Sequence, residues 1–218
     1  MTEEAVWHVL IPVRGTTGSK TRLLPNDVYG AHRRELALAF ACDTVRAVLA
    51  SSVVMEVSVI SADPESRLLF AGLGASVIAE AGSLGLNGAI RQGLQHIQST
   101  HPSRWSAVMM ADLPALTTAD VTAALQLARG YTSAVVPDAS GIGTTMLTAG
   151  PGIEPELHFG AGSQSGHRNA GMRTIDLMPC STLRRDVDTL TDLAVALDLG
   201  LGPYTRAALR ALRLLPAA

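Results

Sequence analysis

Apolar runs alternate with amphipathic stretches along most of the chain. Val6–Val13 (VWHVLIPV) is almost wholly apolar and predicts a strand buried on both faces. Helical periodicity follows over Glu35–Leu49. Val53–Ile60 predicts a second strand, and Ser61-Ala62-Asp63-Pro64 behind it is a helix-start signal. Ala75–Glu80 predicts a short third strand, Leu86–Ile97 a helix and Trp105–Asp112 a fourth strand. Thr117–Ala128 predicts a helix capped by Thr117 or Thr118, and Ser133–Pro137 a fifth strand. The pattern then loosens. Asp138–Gly171 is rich in Gly, Ser and Thr, with Thr144–Leu147 as a short strand inside it, and such a length of weak pattern marks a functional loop or lid. Arg173–Leu177 predicts a strand; Leu190–Leu199 and Tyr204–Leu214 predict helices.

Short strands alternating with helices define an α/β class, with a mostly parallel sheet covered on both faces. The 218 residues show no internal repeat and no composition break, so one domain over 1–218 is expected. The formal charge of -2 and an aromatic content of 4% give nucleic acid neither a basic surface nor stacking platforms. The N-terminus has no basic segment before its apolar run. No run approaches the ~20 apolar residues of a membrane helix, so a cytoplasmic protein without a membrane partner is expected. Cys42 and Cys180 match no metal or redox spacing and are expected to be buried thiols.

The chemistry begins at VRGTTGSKTRLL, Val13–Leu24. It resembles a Walker loop but fails its spacing: Ser19, not glycine, precedes Lys20, and Pro25 stops the helix that should follow. The dinucleotide G-x-G-x-x-G is also absent. The physics of anion binding survives. The loop leaves the C-terminal end of the first strand, where ligands of open α/β sheets bind. Gly15 and Gly18 expose backbone N–H groups, and Arg14, Lys20 and Arg22 supply three cations suited to a polyphosphate. A solvated surface loop is the competing reading. Asp112 in MMADLPAL follows the fourth strand and points to Mg²⁺, which takes one or two carboxylates plus substrate phosphates. In RRDVDTLTDL, Asp186 and Asp188 share one side of an extended segment; one is expected to bind metal and the other to cap the helix, although Thr189 is an alternative cap. Asn87, near a helix start, could read a base or ribose or cap the helix. HFGAGSQSGH (His158–His167) suits a small anion, and its two histidines lack metal-ligand spacing.

Six segments in order, IPVRGTTGSKTRL, LGLNGAIRQG, ADLPAL, SGIGTTML, FGAGSQSGH and DVDTLTDL, carry a resemblance over nearly the whole chain. The chain resembles the guanylyltransferases of coenzyme F-420 biosynthesis, whose archaeal members use 2-phospho-L-lactate and whose actinobacterial members use phosphoenolpyruvate. Arg14 stands where that family usually has lysine, and the Gly-Thr-Thr-Gly behind it is a second departure. The resemblance implies a glycosyltransferase-A-like nucleotidyltransferase fold. It implies that Thr145, Gly160 and Ser163 hold phosphoenolpyruvate, and that Asp112 with an aspartate of the Asp186/Asp188 pair carries Mg²⁺. Arg14, Gly15, Lys20 and Asn87 would then face GTP, with Lys20 and Arg22 neutralising charge during transfer. A molybdopterin or sugar-phosphate nucleotidyltransferase of the same fold, or a non-catalytic nucleotide-binding protein, are the rival readings, and a homo-oligomer is compatible with either.

Overall fold

A computed structural model describes residues 6–13, 23, 30–82 and 85–214. Arg14, Gly15, Lys20 and Arg22, all nominated above, lie outside the described residues. The element order is β1 (Trp7–Pro12), α1 (Gly30–Leu49), β2 (Val54–Ser61), α2 (Pro64–Gly72), β3 (Ser76–Ala79), α3 (Gly85–Thr100), β4 (Trp105–Met109), α4 (Thr118–Ala128), β5 (Ser133–Pro137), β6 (Thr144–Ala149), α5 (Ser163–Asn169), β7 (Arg173–Thr174), a 3-10 turn (Thr182–Arg184), α6 (Leu190–Leu199) and α7 (Pro203–Ala211).

The strands form one sheet in the order β3-β2-β1-β4-β6-β5-β7. β1 pairs in parallel with β2 and β4, and β2 with β3; β6 runs antiparallel between β4 and β5. The sheet is therefore mixed and mostly parallel, as expected. Every residue of β1 is buried because the strand is central and covered on both faces. Alternation sorts its side chains. Trp7, Val9 and Ile11 join one core cluster with Val45 and Val48 of α1 and Val121 and Leu125 of α4. Leu10 joins the other, with Ala89, Ile90 and Ile97 of α3. α3 presses close to the sheet at Gly93, where an added Cβ would lie 2.5 Å from Leu10 Cδ2. A third cluster packs α7 on α1 through Leu36, Phe40 and Leu209. Asp43 of α1 crosses to α7 and accepts the N–H groups of Tyr204 and Thr205 at 3.1 and 2.8 Å, supplying from outside the cap that Gly202 lacks.

Caps fall largely where the sequence puts them. Asp63 caps α2, and Thr117, not Thr118, caps α4 by accepting from Asp120 N–H. The loose region differs most. β6 extends to Ala149 and all six of its residues are buried. Its threonines mask a central strand, because Thr145 and Thr148 return their hydroxyls to the carbonyls of Val136 and Ala134 at 3.4 and 3.3 Å. Arg173–Leu177 contributes only two strand residues. The expectation of two buried thiols is corrected: Cys42 is buried, but Cys180 is exposed beyond β7. Among the described residues no helix is long and apolar enough to cross a membrane.

Candidate active site

β4 delivers Asp112 beyond the C-terminal ends of the central strands, three residues past its own end rather than directly after it. The short excursion is fixed from below. Thr44 of α1 shares its hydroxyl proton between Phe40 O at 2.9 Å and Ala111 O at 3.3 Å and accepts Leu113 N–H at 3.2 Å, so it contacts the backbone on each side of Asp112. The carbonyl of Asp112 accepts Val187 N–H at 3.0 Å. That bond joins two acidic segments far apart in sequence. Val187 is fully buried, so Asp186 and Asp188, on either side of it, are held at the same surface as Asp112.

All three aspartates line one cleft of ≈ 690 Å³, which lies where β4 and β5 end and antiparallel β6 begins. Asp138 and Asp192 line it too, but both are committed to the backbone. Asp138 accepts Ile142 and Gly143 N–H at 3.0 and 2.9 Å and so shapes the turn into β6. Asp192 accepts Thr189 N–H at 2.8 Å while Thr189 Oγ1 accepts Asp192 N–H, a capping box at the start of α6. This corrects one expectation: Thr189 caps α6, so neither Asp186 nor Asp188 does. Asp112, Asp186 and Asp188 line the cleft beside them.

Two further segments, Gly143–Thr145 and Phe159–Ser163, line the same cleft. Gly160 adopts φ 132, a conformation for which glycine is suited. Ser163 is buried and starts α5, a helix that the sequence reading treats as loop. The two segments are stitched together by Gln164 N–H donating to Ile142 O at 3.1 Å. His167 adds a second stitch. Its Nε2 accepts the backbone N–H of His158 at 3.0 Å, which leaves the ring proton on Nδ1, where it donates to Thr144 Oγ1 at 3.0 Å. Burial, with a smaller push from His158, lowers the His167 pKa to about 4, so this ring is neutral near pH 7. His158 itself rests on Glu156 at 2.9 Å. Gly166 lets this strap pass, since a Cβ there would meet His158 Cβ at 2.8 Å.

Thr145, Gly160 and Ser163 thus line the cleft that Asp112, Asp186 and Asp188 also line. Asn87 sits inside α3, past its start at Gly85, and does not cap it. Its carboxamide exchanges two 2.9 Å hydrogen bonds with the backbone of Phe159, anchoring the segment that carries Gly160.

A family model described as "Guanylyl transferase CofC like" matches residues 7–216. The chain belongs to this family. A phosphoenolpyruvate guanylyltransferase of Streptomyces avermitilis is 41% identical over 93% of this chain and 93% of its own length. Solved structures agree on the fold. A nucleotidyl transferase from Methanothermobacter thermautotroptrophicus superposes with a TM-score of 0.62 at 17% identity, covering 89% of this chain and 97% of that one. Rv0371C of Mycobacterium tuberculosis, solved as a complex with manganese, gives 0.50 at 16% identity, covering 88% and 98%.

Around this cleft the sequence reading missed three groups. Arg185 lines it next to Asp186, held by Nη2 donating to Pro179 O at 2.7 Å. Thr44 and His167 act behind the lining, on Asp112 and Thr144. The adjacency of Arg185 to the acidic pair was a usable signal; nothing in the local pattern around Thr44 or His167 discloses a partner many residues away.

Proposed function

We propose that the protein transfers the guanylyl group of GTP to phosphoenolpyruvate and releases pyrophosphate. An oxygen of the acceptor's phosphate forms a bond to the α-phosphorus while the bond from that phosphorus to the β-phosphate bridging oxygen breaks. The observation that carries the reading is the cleft's lining, which brings Asp112, Asp186 and Asp188 together with Thr145, Gly160 and Ser163. These carboxylates repel two anionic substrates unless cations stand between, so this donor set calls for a hard divalent ion. All-oxygen carboxylate donors suit Mg²⁺, which keeps room for substrate phosphates. When bound, the ion would neutralise phosphate charge and orient the phosphates for in-line attack.

The remaining work falls to the chain. Thr145, Gly160 and Ser163 are assigned to the three-carbon acid through hydroxyl and backbone groups, with His167 and Asn87 keeping their segments in register. Arg14, Gly15, Lys20 and Arg22 are assigned to the triphosphate; Asn87, whose carboxamide is bonded to the Phe159 backbone, is assigned to that segment in place of the nucleotide. Since no protein nucleophile is required, rate comes from positioning and charge neutralisation. 2-Phospho-L-lactate differs from phosphoenolpyruvate at C2 and is the second acceptor to compare. We place the reaction in the cytoplasm, as a step of coenzyme F-420 biosynthesis.

The test is direct. The protein is incubated with Mg²⁺, each nucleoside triphosphate and each acid, and pyrophosphate is followed. GTP with phosphoenolpyruvate should give the highest rate. Asp112→Ala should lower turnover by about two to four orders of magnitude while the circular dichroism spectrum is retained. Pyrophosphate release at the wild-type rate in that variant removes Asp112 from the reaction.

A further inference from the structure

At the end of the sheet away from the cleft, three potential ligands converge. They are His8 at the start of β1, Glu56 beside it in β2, and His101 just beyond α3. Among the described residues this is the one trio of His, Cys, Asp or Glu whose ligand atoms all lie within 4.8 Å of one another. His8 Nδ1 is 3.8 Å from Glu56 Oε2, and His101 Nε2 is 3.6 Å from the same oxygen. Around an ion with bonds of ~2.0 Å, tetrahedral ligands stand about 3.3 Å apart. The cluster is therefore within small side-chain adjustments of a binding geometry.

The tautomer of His8 favours binding. Arg104 Nη1 lies 3.5 Å from His8 Nδ1, and a guanidinium has only donors, so Nδ1 presents its lone pair to the cluster. The ring proton is then on Nε2 and donates to Ser58 Oγ at 2.8 Å. A metal-binding histidine characteristically has this arrangement, one nitrogen directed inward and the other fixed by an outer partner. Burial lowers the His8 pKa to about 4, which keeps the ring neutral at ordinary pH. Glu56 is oriented as well: its Oε1 accepts Ser76 Oγ–H at 2.7 Å, which leaves Oε2 to the cluster. That oxygen is held by Arg104 Nη1 at 2.6 Å. Arg104 thus already places a positive charge where the three ligands meet.

We propose that His8, Glu56 and His101 form a site for a borderline divalent transition metal such as Zn²⁺, with Arg104 as the resident cation that the ion displaces. Two imidazoles and a carboxylate select this class over Mg²⁺, which prefers oxygen. Such an ion would bridge β1, β2 and the α3–β4 connection. The site is independent of the guanylyl-transfer reading and of the cleft's aspartates.

The probe is Co²⁺, titrated into the full chain in excess Mg²⁺ to occupy carboxylate-only sites, and read by visible absorption. One equivalent should produce the bands of nitrogen-ligated cobalt. His101→Ala, which alters a half-exposed side chain, should fold normally by circular dichroism and lose roughly a hundredfold in affinity. Arg104→Ala should bind more tightly than wild type. Absence of the bands overturns the proposal. So does a His101→Ala protein that binds like wild type, loss of the bands in Asp112→Asn, or weaker binding by Arg104→Ala.

Discussion

His167 makes the packing of the segments around Thr144 and His158 measurable by pH. The ring is fully buried and hydrogen-bonded at both nitrogens, so its neutral form is built into the fold. Its pKa falls from 6.5 to about 4, mainly through burial. In the unfolded chain the same ring accepts a proton near pH 6.5. The native state therefore holds its full stability above that value and loses it as pH falls toward 4, because only the unfolded state takes up the proton. Linkage gives a loss of about 2 kcal/mol at pH 5 and about 3 kcal/mol at pH 4. His167→Gln removes the titrating group. At pH 7 the variant should be less stable by about 1–3 kcal/mol, for the disturbed hydrogen bonds and packing. The informative quantity is the gap between wild type and variant, measured by urea denaturation at pH 7, 5 and 4. Contributions from His8 and from the carboxylates are common to both proteins and largely cancel. The gap should shrink by about 2 kcal/mol at pH 5 and about 3 kcal/mol at pH 4, and could reverse sign. A gap that stays constant across this range would refute the buried neutral ring.

Four further outcomes are expected. Thr189→Ala removes half of the α6 capping box and should cost about 1 kcal/mol by chemical denaturation, with a larger effect on turnover than that loss alone explains, because Asp188 adjoins the cap. Gly166→Ala forces the His158 strap away from α5; the Michaelis constant for the three-carbon acid should rise more than that for GTP. Ellman's reagent should label Cys180 in the native protein and both cysteines in denaturant, because burial, with help from Asp43, raises the Cys42 thiol to about 12. Lys20→Ala should weaken GTP binding far more than acid binding, as read by isothermal titration calorimetry.

The strands and helices up to β5 were legible because each announces itself locally. β1 is a continuous apolar run, Asp63-Pro64 is a start signal, and Thr117 precedes a periodic stretch. β6 was half-legible, as its threonines look solvent-facing until their hydroxyls are seen to bond neighbouring strands. α5 was missed because Ser-Gln-Ser-Gly reads as loop; it follows a left-handed glycine with no side-chain cap, so no cap signal marks it. Asp112 was legible from its position after a strand, and Asp186 and Asp188 from their shared side of an extended segment. Asp138 and Asp192 were not singled out, since their roles depend on which N–H groups the folded backbone presents. Thr44 and His167 were invisible for the same reason: their partners are brought near only by tertiary packing.

The hydrogen bond from Val187 to Asp112 has a bearing on synthesis. Among the described residues six of the seven strands precede residue 150, so most of this β-layer can assemble while the last third of the polypeptide is still being translated. Asp112 acquires its two acidic companions only after the segment around Val187 has left the ribosome. A nascent chain thus carries an incomplete carboxylate set, and competence arrives with the final helices.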